Sequence, residues 1–316
     1  MKKLAQLLIA SMLLITSAMA WSNQPLVDVD WVKSNIGSPQ VVFLDVRGQL
    51  DGLSKADYLR AHIPGAVYTD YAKDGWRVKD KNGTPGMLPP IDKLEQLIGD
   101  LGIDNASHVV IIPNGGKSLD MGTATRIYWT FKVLGHDDVS ILDGGMLAYT
   151  KEVDEKTKNP VNPLEKGAVK PEAKSFKGSL REEMIVTKED VKAAMASGVT
   201  LLDHRPNDQY IGINKHGSAA RNGTIPGSHN LPESWLTRNG GGTFRQKSEL
   251  EQLYAAAGVP ANGAEISFCN TGHWASLGWF ASSELMGNKA SKMYDGSMLE
   301  WSADTALPVE QKITIK

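Results

Sequence analysis

The chain carries one ordered set of motifs twice, and this duplication constrains the fold more than any other feature. Self-similarity at a long fixed period means that one supersecondary unit is built twice. The first copy opens at Leu26-Val27-Asp28, where Asp28 is placed to cap a helix running to about Ile36. The second opens at Ile185-Val186-Thr187, where Thr187 caps, Asp190 follows three residues later and Gly198 ends the helix. An apolar, β-branched run comes next in each copy, Val41 to Arg47 and Val199 to Arg205. Such runs suit strands buried on both faces of a parallel sheet. His62-Ile63-Pro64-Gly65-Ala66 and Thr224-Ile225-Pro226-Gly227-Ser228 then mark turns into short strands. Leu94-Glu95-Gln96-Leu97 recurs as Leu250-Glu251-Gln252-Leu253, and Leu101-Gly102-Ile103 as Ala257-Gly258-Val259 at the same offset. Strands alternating with helices predict an α/β fold of two tandem domains, each a mostly parallel sheet flanked by helices.

The boundaries follow from composition. Lys2 and Lys3 precede an apolar run, Leu4 to Ile15, and small residues ending Ala18-Met19-Ala20, so residues 1–20 read as a secretory signal peptide. Residues 21–150 form the first domain and 185–316 the second. Between them, 151–184 is rich in Lys, Glu and Pro and reads as a linker wrapping the surface or bridging the domains. Cleavage after Ala20 removes two lysines and no acid, taking the formal charge from −2 to −4. That charge gives no electrostatic case for nucleic acid or for a membrane partner after signal cleavage. The expected compartment is the periplasm, which is oxidising, yet Cys269 is the one cysteine and no internal disulfide can form. An exported protein with one free thiol suggests a thiol kept for reactivity.

The repeat also acts as a control, because features of both copies belong to the scaffold and features of one copy are candidates for chemistry. Asp45-x-Arg47 and Asp203-x-Arg205 occur in both, so each pair is read first as structural, with a substrate-binding role for Arg205 as the alternative. The copies part at the end of the strand Ile266 to Phe268, where the second has Cys269 and the first has Pro113. Proline is no nucleophile and donates no N–H, so the first copy is expected to be catalytically inactive. The loop Cys269-Asn270-Thr271-Gly272-His273-Trp274-Ala275-Ser276 leads into a helix expected from about Ala275 to Met286. A loop between a strand end and a helix start aims backbone N–H groups at its centre, and the helix dipole favours an anion there. Cys269 is therefore the expected nucleophile, with Asn270 to Ala275 supplying amides and Ser276 a hydroxyl. His273, as imidazolium, would attract an anionic donor, and Trp274 would wall the pocket or pack between the domains. Arg221, His229 and Arg238 are further candidates for positive charge at the cleft.

In order and in duplicate, these features resemble the tandem-domain rhodanese family of thiosulfate and 3-mercaptopyruvate sulfurtransferases. The resemblance rests on Asp-x-Arg, Ile-Pro-Gly, the strand ending in Cys269, Gly272 three residues on, and Gly287 followed by Tyr294-Asp295-Gly296-Ser297. It implies two rhodanese-like domains with chemistry in the second. It also implies sulfur transfer to a thiophilic acceptor, cyanide or a thiol, through a Cys269 persulfide, with no cofactor. The loop departs from the family pattern: Trp274 replaces a usual Thr or Arg, and a substrate-binding arginine of the thiosulfate enzymes would fall near the uncharged Gln209. Two rivals are weighed. A phosphatase on a related fold wants an arginine six residues after the cysteine, and position 275 is alanine. A non-catalytic periplasmic sulfur carrier, holding a persulfide for a protein acceptor, would tolerate the missing cationic clamp. Metal binding is not expected, since the seven histidines show no ligand spacing and one cysteine makes no thiolate cage.

Overall fold

The computed structural model describes residues 24–313. The expected signal peptide lies outside the described residues. The first half contains β1 (Leu26–Val27), β2 (Val41–Asp45), β3 (Val67–Tyr68), a hairpin of β4 (Val78–Lys79) and β5 (Pro85–Met87), β6 (His108–Ile112) and β7 (Val139–Leu142). Its helices are α1 (Val29–Ser34), α2 (Lys55–Arg60), α3 (Ile91–Asp100), α4 (Ser118–Val133) and α5 (Gly145–Tyr149). The second half contains β8 (Ile185–Val186), β9 (Thr200–Asp203), β10 (His229–Asn230), β11 (Glu265–Phe268) and β12 (Ser291–Tyr294). Its helices are α6 (Lys188–Ser197), α7 (Asn207–Tyr210), α8 (Lys247–Ala256), α9 (His273–Trp279) and α10 (Ser297–Ala303), with a π-helical stretch, Phe280–Met286, continuing α9.

The two sheets repeat one topology. The first runs β1-β7-β6-β2-β3 and the second β8-β12-β11-β9-β10, every pairing within them parallel. The central strands β6 and β11 are buried along their whole length; Val109 to Ile112 is a continuous apolar run, whereas β11 buries Glu265 and Ser267 against Ser291 and His204. Local chemistry sets the helix ends. The Asp28 carboxylate accepts from Trp31 N–H at 2.8 Å, Thr187 and Asp190 cap each other, and Gly198 closes α6 at φ +75°. Each Asp-x-Arg pair is a buried clamp. Arg47 binds Asp45 and the carbonyl of Ala61, and Arg205 binds Asp203 and the carbonyl of Gly223 at 2.8 Å. Both pairs thereby tie a strand end to the chain before the Ile-Pro-Gly turn. Residues 151–184 run over the first domain, pairing Glu165 with His62, Lys174 N–H with the Gly99 carbonyl and Ser179 N–H with that of Leu134.

Helix α4 differs from its sequence expectation. The spacing of Ala124, Ile127, Tyr128 and Phe131 predicts one apolar face, but Asp120, Thr123, Thr125, Arg126 and Thr130 are buried as well. The reason is α9, which packs along the other side of α4. Tyr128 meets Trp279 and Phe280 ring to ring, and the Thr125 and Ser276 hydroxyls bond at 2.8 Å. A single apolar cluster joins Leu44, Ile111 and Phe131 of the first half to Leu202, Leu277 and Phe280 of the second.

Candidate active site

Cys269 follows directly on β11 and is 1% exposed. It lies in a cleft of about 390 Å³ between the two halves. Ser297, at the start of α10, holds the loop above it. Its hydroxyl accepts from the N–H of Cys269 at 3.1 Å and of Gly272 at 3.2 Å while donating to the Tyr294 carbonyl at 2.8 Å. Backbone bonds from Met298 and Leu299 to the carbonyls of Cys269 and Asn270 complete the frame. Gly272 turns the chain at φ +73°, and a Cβ there would collide with the side chains of Arg126 and Asp295.

That turn starts the helix at His273, two residues before the expected Ala275, so His273 and Trp274 belong to its first turn. The N–H groups of Asn270, Thr271, His273, Trp274 and Ala275 have no acceptor among the described residues, whereas that of Gly272 is taken by Ser297. These are the orphan donors of a helix N-terminus and of the loop that leads to it from Cys269.

Several expected site residues take other places. His273 is no imidazolium. It is buried, its Nε2–H donates to the Leu119 carbonyl at 3.0 Å, and its Nδ1 accepts from Tyr71 OH at 3.2 Å, which satisfies the neutral ring. Burial, with Arg77 and Arg126 nearby, pushes its pKa down to about 3. Ser276 is buried between α9 and α4, donating to the His273 carbonyl at 2.7 Å, and so faces the domain contact. Arg205 is fully buried in its clamp with Asp203 and does not line the cleft. Arg221 binds four carbonyls near the C-terminus, Arg238 pairs with Glu249, and His229 is exposed on β10, so none of the three supplies charge to the cleft. Asn270, Thr271, His273 and Trp274 do line it, and Asn270 is held by Gln209 at 2.9 Å.

Two residues of the first half escaped the sequence. Arg126 of α4 forms an ion pair with Asp295, both buried, across the domain contact. Burial opposes its charge, but Asp295 raises its pKa. Asp295 also accepts from Leu88 N–H at 2.7 Å. Arg77, before the β4–β5 hairpin turn, donates through Nη2 to the Thr271 carbonyl at 2.9 Å and through Nε to the Gly86 carbonyl at 3.1 Å. Their only early signal is that each is a cation in the copy that lacks the cysteine.

Comparison with known proteins agrees with this geometry. A family model described as the rhodanese-like domain matches residues 28–152 and again 187–304. The chain belongs to the tandem-domain rhodanese family. Across 291 residues it is 31% identical to a Mycobacterium tuberculosis protein named "Putative thiosulfate sulfurtransferase", covering 90% of this chain and 97% of that one. It is 29% identical to the 3-mercaptopyruvate sulfurtransferase of Escherichia coli, with the same coverage. The crystal structure of SseA, a 3-mercaptopyruvate enzyme from Escherichia coli, superposes with a TM-score of 0.72 at 26% identity, covering 87% of this chain and 98% of that one. An anaerobic ergothioneine biosynthesis enzyme from Chlorobium limicola shares the fold at TM-score 0.74 and 22% identity, over 92% of this chain and 71% of that one. Within this rhodanese, the half with Cys269 and the half with Pro113 are two versions of one domain.

Proposed function

We propose that the protein is a sulfurtransferase that moves sulfane sulfur from thiosulfate or 3-mercaptopyruvate to a thiophilic acceptor through a Cys269 persulfide. The observation that carries this reading is the setting of Cys269, a thiol in the cleft whose following loop and helix start hold five N–H groups without acceptors. Loading begins when the Cys269 thiolate attacks the outer sulfur of the donor. With thiosulfate the S–S bond breaks and sulfite leaves with the electron pair. With 3-mercaptopyruvate the C–S bond breaks, the enolate of pyruvate leaves, and the donor's thiol proton ends on pyruvate carbon. In the second half-reaction cyanide or a thiolate attacks the outer sulfur of the persulfide, and Cys269 departs as thiolate. Both steps place negative charge at the loop, where fixed N–H dipoles stabilise it without reorganising.

The enclosure of Cys269 favours this reading over a carrier that hands sulfur to a protein, since a partner's thiol would have to enter the cleft. An exported, periplasmic enzyme is the further part of the proposal and rests on residues 1–20. Wild-type protein and Cys269→Ser are incubated with each donor, then with cyanide, while intact mass and thiocyanate are followed. One added sulfur on the wild type alone, with steady thiocyanate release, is the expected result. Loading without turnover would transfer the case to the carrier, and no loading from either donor would refute both.

A further inference from the structure

We propose that Arg77, from the half without the cysteine, forms an anion-binding subsite of the cleft, and that this subsite takes the carboxylate of a monoanionic organic sulfur donor. The inference deepens the sulfurtransferase reading and rests on it for the sulfur step alone.

The cleft carries one permanently charged side chain, with the exposed His216 also on its wall. Among the described residues lining it, Arg77 is the one arginine or lysine, and no carboxylate lines it. The nearby Arg126 and Asp295 cancel each other, and His273 is satisfied as the neutral ring. Arg77 makes no ion pair among the described residues. Its guanidinium is nevertheless fixed. Two of its nitrogens are tied to the carbonyls of Gly86 and Thr271, its Cζ lies 5.4 Å from the Tyr71 ring centroid, and a side chain on Gly86 would collide with it. Nη1 donates to no carbonyl among the described residues and has the Tyr71 side chain for a neighbour. A cation held this way loses little freedom when an anion binds, and guanidinium matches the planar carboxylate.

The rest of the wall identifies the class. Leu50, Pro85, Leu119, Leu299 and the half-buried Trp274 offer apolar surface to a carbon skeleton. A cleft of about 390 Å³ falls within the range of about 300–1,000 Å³ common for organic ligands. One fixed positive charge beside apolar walls matches one carboxylate on a short carbon body, with the loop N–H groups left to the thiolate.

The test separates this subsite from sulfur transfer. Pyruvate and its uncharged amide, pyruvamide, are titrated into Cys269→Ser, with and without Arg77→Gln or Arg77→Lys, following tryptophan fluorescence. Arg77→Gln is expected to weaken pyruvate between roughly tenfold and a hundredfold, the scale of one charge-assisted contact, and to leave pyruvamide unchanged. Arg77→Lys should recover part of the loss. Equal weakening of both ligands would show that Arg77 only staples Thr271, and no change in either would show that the anion sits elsewhere; both overturn the proposal. Pyruvate binding that depends on Arg77, in a protein that loads no sulfur, would sink the transferase and keep the subsite.

Discussion

The ion pair between Arg126 and Asp295 offers the sharpest test of how the halves are joined. Asp295→Asn keeps an acceptor for Leu88 N–H but leaves the Arg126 charge in a site where its side chain is 0% exposed. The remaining acceptor is the Gly86 carbonyl at 3.3 Å, and Arg126 Nε already has no partner. Breaking a buried pair on one side costs about 3–5 kcal/mol, because the other charge stays behind. Arg126→Met strands the opposite charge and is expected to cost a similar amount. The double variant Arg126→Met/Asp295→Asn strands neither charge, so its cost should fall to about 1–3 kcal/mol, the scale of lost hydrogen bonds. The cycle then shows a coupling of at least about 3 kcal/mol. Urea titration at pH 7, followed by tryptophan fluorescence and circular dichroism, gives the four stabilities. Because one apolar cluster spans both halves, the two signals should fall in one transition. Singles whose costs simply add up in the double variant would refute the reasoning, since additivity would mean that the two charges do not depend on each other.

Three further expectations concern the site. The pKa of His273 in the fold is about 3, below the ordinary 6.5, so its contribution to stability is complete above pH 6.5 and is lost as pH falls toward 3. His273→Gln should therefore flatten the decline of Tm between pH 6.5 and 4, and an unchanged slope would contradict this. Ser297→Ala removes the acceptor for two loop N–H groups and should cost about 1–3 kcal/mol and lower kcat more than KM; wild-type turnover would show that the loop holds itself. Gly122→Ala drives a Cβ to 2.6 Å from His273 Nε2, across the contact of α4 with α9. It should reduce stability by about 1–3 kcal/mol, measured by denaturant midpoint, and a neutral effect would mean that this contact has slack.

Much of the architecture was legible because it is written twice. The caps at Asp28 and Thr187, the Asp-x-Arg clamps and the strand ending in Cys269 all rest on residues close in sequence, where local chemistry decides the outcome. The nucleophile stood out because Pro113 occupies its place in the other copy. What escaped depends on contacts between positions far apart. Arg77 meets Thr271, Arg126 meets Asp295, and Tyr71 and Leu119 hold His273, and no spacing rule brings such pairs together. The early start of α9 was missed for a local reason. Gly272 caps it by its left-handed backbone, with no Ser, Thr, Asp or Asn at that position to give the boundary away.

The face-to-face contact of α4 and α9 has a consequence for the history and handling of such a chain. A duplication that merely repeated a domain would leave two detachable modules. Here Tyr128 shields Trp279 and Phe280, so excising the half with Cys269 would expose the helix that follows its nucleophile loop to water and invite aggregation. The half without a cysteine thus serves as the cover of the half that has one.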